Sequence, residues 1–118
     1  MLTVADSVSI YLYNFPIDMR KGVNSLTVLL ANELSMRPQS GDLFIFRNKR
    51  GDRVKLIHWH KNGFMLHYKC LESGKFRFPK AGSGDRLSLT ADQLNWLLAG
   101  LDFMLMAQCP ELNFEHYC

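Results

Sequence analysis

The stretch GDLFIFRNKRGDRVKLIHWHKNG, Gly41 to Gly63, decides most of the fold. Leu43 to Phe46 is an unbroken run of apolar strand formers, and Val54 to Trp59 is a second strand-forming run. Between them Arg47, Lys49, Arg50 and Arg53 crowd a turn rich in Asn, Gly and Asp. The pattern predicts a hairpin with a basic tip. Asn62-Gly63 is a two-residue turn signal that sends the chain back once more.

Working outward towards the C-terminus, the pattern predicts strands over 42–47, 53–61, 64–71 and 75–79, an antiparallel meander whose last turn is Ser73-Gly74. With Asn62-Gly63 as the turn, Trp59 faces Leu66 and Ile57 faces Tyr68. Phe64 and Cys70 share that face, which is the expected buried side. On the other face His58 falls opposite His67, with His60 two residues along. Three imidazoles together are able to ligate zinc or copper. No carboxylate or cysteine is assigned to complete a set, so the reading is structural or solvent-exposed histidines with no metal.

Residues 80–86 form a loop, and Leu87-Ser88-Leu89 has the alternation of a short further strand. Thr90-Ala-Asp-Gln93 is a capping box, with Leu94, Leu97, Leu98 and Leu101 as the buried stripe of the helix it opens and Trp96 on its flank. Phe103 to Met106 either extend that helix or form an exposed partner-binding surface. Pro110 stops any helix, and Glu111 to Cys118 read as a mobile end.

Towards the N-terminus, Val8 to Tyr13 alternate as a strand. Asp18 stands where a helix N-cap belongs, and Val23, Leu26, Leu30 and Leu34 recur at helical spacing up to Arg37-Pro38. Arg20 and Lys21 would lie in the first turn of this helix, where free backbone N–H groups and two cations make a phosphate site. The alternative is that both side chains swing into water or pair with Asp18. The expected fold is α+β: an antiparallel sheet of about five strands, in the order β-α-β-β-β-β-α, with two helices on one face. Residues 1–102 are read as a single domain and 103–118 as a tail.

The 118 residues are 47% hydrophobic and 21% charged, the balance of one folded domain and not of a disordered chain. The net charge of +3 is unevenly spread. Residues 42–80 carry ten basic against three acidic side chains, net +7, and residues 81–118 one basic against five acidic, net −4. A basic centre attracts nucleic acid or another polyanion, unless its cations merely solubilise strand edges. No apolar run approaches the roughly 18 to 20 residues that span a bilayer, and no export signal precedes the first strand, so a cytoplasmic protein without membrane contact is expected. Cys70, Cys109 and Cys118 are odd in number and widely spaced, which argues against a disulfide framework. No nucleophile elbow, phosphate loop, dinucleotide fingerprint or metalloprotease helix is present, so neither catalysis nor a cofactor is expected.

Several segments together resemble a known family: Asp18-Met-Arg-Lys-Gly22, Phe44 to Arg53, Val54 to Trp59, Gly63-Phe64, Tyr68-Lys69, Leu71-Glu72, Gly74 to Pro79, Leu89-Thr90, Gln93-Leu94 and Leu97 to Asp102. In this order and spacing they resemble the small accessory protein, usually called TnpB or the second open reading frame, of insertion sequences of the sixty-six type. This family is unrelated to the RNA-guided nuclease that shares the name. The resemblance covers about residues 8–102. His60 departs from it, standing where the family often has Asp. The resemblance implies a bacterial accessory factor for transposition, with a separate, larger transposase supplying the catalytic carboxylates.

Three functions follow as expectations. In the first, a non-catalytic accessory factor binds DNA at the element ends through Arg47, Lys49, Arg50, Arg53 and Lys55, with Arg20 and Lys21 as a second anchor. In the second, an interaction module docks on the transposase without touching DNA. In the third, a small metal-dependent nuclease uses the histidine face.

Overall fold

The structure, a computed structural model, describes residues 8–79 and 84–100. Strand β2 (Leu43–Arg47) sets the architecture, because Leu43, Phe44, Ile45 and Phe46 are all buried. Side chains alternate across a strand, so four consecutive buried residues require cover on both faces of the sheet. β2 accordingly lies at the centre of a five-stranded sheet of order β4-β3-β2-β1-β5, built with β1 (Ile10–Tyr13), β3 (Arg53–His60), β4 (Gly63–Cys70) and β5 (Arg86–Leu89).

Helix α1 (Val23–Asn32) covers one face, where Leu26, Leu30 and Leu34 pack with Ile17, Phe44, Phe46 and Ile57. Helix α2 (Ala91–Leu98) covers the other, where Leu94 and Leu97 pack with Ile10, Leu12, Ile45, Val54, Leu56 and Phe76. The α+β class, the five strands and the two helices are as expected. The placement of both helices on one face is corrected: the apolar run of β2 demands one on each side.

The sheet is also mixed, not wholly antiparallel. β1 pairs parallel to β2, with Ile10 beside Leu43 and Leu12 beside Ile45. α1 is the crossover that returns the chain to the starting end, as a parallel pair requires. β5 pairs antiparallel with the outer side of β1. The element order β-α-β-β-β-β-α holds, but its last strand is Arg86–Leu89 and not 75–79. Residues 75–79 instead fold back as an irregular segment. Phe76 is buried and its N–H donates to the carbonyl of Gly51 at 2.8 Å.

The β3–β4 hairpin differs in register from the expectation. Lys61 and Asn62 form the turn, Lys61 with a left-handed φ of 58°, and Gly63 is already a strand residue opposite His60. Trp59 therefore faces Phe64 and Ile57 faces Leu66. The shift is two residues, so every side chain keeps its face. Burial fades along β4, however, because α1 reaches only Phe64 and Leu66; Tyr68 and Cys70 are exposed.

Helix α1 begins at Val23 with Gly22 as its N-cap and no side-chain cap. Asp18 caps a local turn instead, accepting from the Arg20 N–H at 2.9 Å. The capping box of α2 is formed as expected: Thr90 Oγ1 accepts from the Gln93 N–H at 3.1 Å, and the Thr90 N–H donates to Gln93 Oε1 at 2.9 Å. Leu101 and the expected tail, 103–118, lie outside the described residues.

Candidate nucleic-acid interface

One end of the sheet gathers the C-terminal end of β2, the N-terminal end of β3 and the C-terminal end of β4. The β2–β3 turn there is built on Asn48. Its Oδ1 accepts from the N–H of Gly51 at 2.9 Å and of Arg53 at 3.1 Å, and its Nδ2 donates to Asp52 Oδ1 at 2.7 Å. Gly51 closes the turn at φ +83°, a conformation that favours glycine. The hydrogen bond from Asn48, joined more weakly by the charges of Arg50 and Arg53, holds the Asp52 carboxyl below its ordinary pKa. The carboxylate is thus used inside the turn, while Lys49 and Arg50 stand exposed at its tip.

The fold-back segment docks on this turn. The Leu71 N–H donates to the Asp52 carbonyl at 2.9 Å, beside the Phe76–Gly51 bond, and the Lys75 side chain lies against Gly51. Phe76 and Phe78 turn inward, leaving Lys75 and Arg77 exposed. Arg53 is exposed opposite Cys70. Lys49, Arg50, Arg53, Lys75 and Arg77 are therefore the exposed cations of this end. Among the described residues the ion pairs are Arg20–Asp18 and Arg86–Asp85, so none of the five is held by a carboxylate.

Two expected contacts are turned inward. Lys55 is only 6% exposed; its ammonium donates to the carbonyls of Met19 at 2.6 Å and Lys21 at 2.8 Å and lies 5.4 Å from the centre of the Tyr68 ring. This corrects its assignment as a phosphate contact: it points to the α1 face and pins the segment ahead of α1. Arg47 is half-buried over the Phe78 ring, donating to the carbonyls of Asn14 at 3.0 Å and Asn48 at 3.3 Å.

Arg20 and Lys21 precede α1 and do not lie in its first turn, and of the two expected alternatives Arg20 takes the pairing with Asp18. Arg20 is exposed, and its guanidinium pairs with Asp18 at 2.6 Å. The Asp18 carboxyl is held down at about 2, first by the Arg20 side-chain hydrogen bond and then by the Arg20 backbone N–H. Ile17 N–H donates to the Arg47 carbonyl at 2.9 Å, which carries this segment to the basic end. Lys75 and Arg77 are exposed cations of this end that the turn motif does not single out. Their signal was the alternation Lys-Phe-Arg-Phe, taken for a strand but serving to bury two rings and leave two cations outside.

The three histidines share a face, but His58 stands opposite Met65 and meets His67 diagonally. His58 and His67 bring their Nε2 atoms within 3.3 Å; their ring planes differ by 3° and their centroids lie 5.4 Å apart. The nitrogens are much closer than the centroids, so ring edges, not ring faces, meet. Such a contact is a hydrogen bond when one nitrogen carries a proton and the other does not. His60 stands 6.3 Å from His58, centre to centre. Burial first, then the charges of His67 and His60, lower the His58 pKa. Among the described residues no group of three or more His, Cys, Asp or Glu side chains is arranged to hold a metal ion.

The family model described as IS66 Orf2 like protein matches residues 8–108. The chain belongs to the IS66 Orf2-like family. The match runs six residues beyond Asp102, where the resembling segments end. Two relatives from Sinorhizobium fredii (strain NBRC 101917 / NGR234) are similar along most of their length. The uncharacterized protein y4jC is 41% identical over 95 residues, 80% of each chain. The uncharacterized protein y4hO is 33% identical over 103 residues, 87% of this chain and 89% of the relative. No solved structure matches. Membership makes this an IS66-type accessory protein. No helix among the described residues is long and apolar enough to cross a membrane.

Proposed function

We propose that this protein is a non-catalytic accessory factor for transposition of an insertion sequence, which holds the DNA of the element ends at the basic end of its sheet while the separately encoded transposase performs the chemistry. The observation that carries the reading is the convergence of five exposed cations, Lys49, Arg50, Arg53, Lys75 and Arg77, on one structured turn without a carboxylate partner. Arg20 and Lys21 flank this end, and Arg20 joins when phosphate displaces Asp18. Arg47 and Lys55 act as supports: one props the Phe78 loop, the other the segment before α1.

Cations of this kind contact phosphates and position a protein without reading bases. Binding is therefore salt-dependent and of modest sequence preference. Five phosphate contacts give a slope of log affinity against log salt of about −4.5, and each contact removed lowers it by about 1. The test is affinity for a duplex carrying the element's terminal repeat across a salt series, for wild type and for Arg50→Ala/Arg53→Ala/Lys75→Ala. The slope falls by about 3 in the triple variant if these residues hold the phosphates. An unchanged slope removes them. Retention of transposase binding with no duplex binding replaces the reading with that of a protein-docking module.

A further inference from the structure

We infer that the β4 edge is a self-association surface, on which a second copy of this chain adds its own β4 antiparallel to make one continuous sheet. Among the described residues the sheet has two edges, β4 and β5. β5 has four residues, while β4 has eight and pairs with β3 without interruption from Arg53–Cys70 to His60–Gly63. Every second residue of β4 thus turns its backbone N–H and C=O outward in regular order. Proteins blunt such edges with proline, bulges, outward lysines or covering segments. β4 has no proline and no bulge. Its one lysine, Lys69, is drawn across the α2 face, where its ammonium donates to the Leu98 carbonyl at 2.6 Å. Of the large apolar side chains exposed among the described residues, Phe15, Val28, Met65 and Tyr68, two lie on this strand, one on each face.

Length and charge select a second copy as the occupant, and antiparallel as the direction. β5 of another molecule matches only half of β4, and a β4–β5 contact leaves free edges that propagate instead of closing. A second β4 matches seven of the eight residues and closes as a dimer. A two-fold axis at Leu66 or His67 keeps the α1 and α2 faces continuous across the joint and sets no two lysines opposite each other. The basic end lies beside Cys70, so antiparallel pairing carries the two basic ends apart by roughly the strand length, about 26 Å at 3.3 Å per residue. That exceeds the screening length of about 8 Å at physiological salt. Parallel pairing would place them side by side.

The test is the solution mass of the full chain by light scattering or sedimentation, up to about 100 μM so that a micromolar dimer is populated. The variant is Met65→Lys/Tyr68→Glu, which leaves net charge unchanged, alters two exposed positions and sets a carboxylate beside the Lys55 ammonium. The control is Phe15→Lys, another exposed apolar position, just after β1 and three strands away from the edge. Circular dichroism melts verify that both fold. The inference requires a dimer for wild type and for Phe15→Lys, and half that mass for the double variant. A monomeric wild type overturns it, as does a double variant that stays dimeric or a control that dissociates. A monomer whose edge variant instead loses binding to the transposase assigns the edge to that protein and overturns self-pairing. None of these outcomes depends on DNA, so they are separable from the salt-slope result.

Discussion

Asn48 shows how much of the basic end rests on one uncharged side chain. Three hydrogen bonds tie it to Gly51, Asp52 and Arg53. Asn48→Ala leaves the two backbone N–H groups without that acceptor, a loss of about 1–3 kcal/mol in urea denaturation. It also loosens the tip, so duplex affinity falls although no charge is removed. The motif Arg-Asn-Lys-Arg-Gly-Asp was legible as a basic turn, because turn chemistry is local. That Asn48 and not Arg47 is its centre was not legible, because the inward turn of Arg47 depends on Phe78, distant in sequence. The histidine pair makes a second prediction at this scale. His58 has a lowered pKa in the folded state, so the unfolded chain binds its proton more readily. Its contribution to stability is present above the unfolded value of about 6.5 and is lost as pH falls through the lower folded value. Urea midpoints are expected to hold near neutral pH and to drop at acid pH, more shallowly in His67→Gln. Equal slopes in both proteins would show that the pair does not couple.

The elements differ in how plainly the sequence announces them. Thr90 to Gln93 was readable because a capping box lies within four residues, and Thr90→Ala is expected to cost about 1 kcal/mol in a thermal or urea melt. The start of α1 was misplaced because Asp18 is an equally good acceptor for a local turn, and nothing in residues 18–22 tells the two uses apart. Lys55 was assigned to phosphate on charge alone. It sits on the same face as Ile57, and its ammonium takes the carbonyls of Met19 and Lys21 as partners. This distinction can be measured. Lys55→Met removes the anchor of the segment before α1 and destabilises the chain, while the salt slope of duplex binding stays at the wild-type value. A slope reduced by about 1 would return Lys55 to the phosphate contacts. The hairpin register failed for a related reason: Asn62-Gly63 is a strong turn signal, yet Lys61 accepts the left-handed position and releases Gly63 to the strand.

At the scale of the whole molecule, the two-sided sheet is the feature that local patterns least revealed, although Leu43 to Phe46 carried it. A run apolar on both faces is incompatible with helices on one side only. The parallel β1–β2 pair was hidden because strand partners far apart in sequence leave no local trace. The result is two cores, one under α1 and one under α2, that share β2 and β3 as a common wall. Leu26 and Leu97, each fully buried, belong to opposite cores. Truncation of either to alanine is expected to cost about 2–5 kcal/mol, according to how far each site collapses. Residues on opposite faces share no direct partners, so the energies should add in the double variant within about 0.5 kcal/mol. The common wall nevertheless forbids one core from melting alone: loss of α2 packing exposes Ile45 and Leu56 on the strands that carry Phe44 and Ile57. Denaturation of Leu26→Ala and of Leu97→Ala, followed by far-ultraviolet circular dichroism and by tryptophan fluorescence, should therefore give one coincident transition in each. Separate transitions in Leu97→Ala would mean that the α1 side, with the hairpin and its basic tip, stands as an independent unit, and that α2 is an attachment to it and not a wall of the same structure.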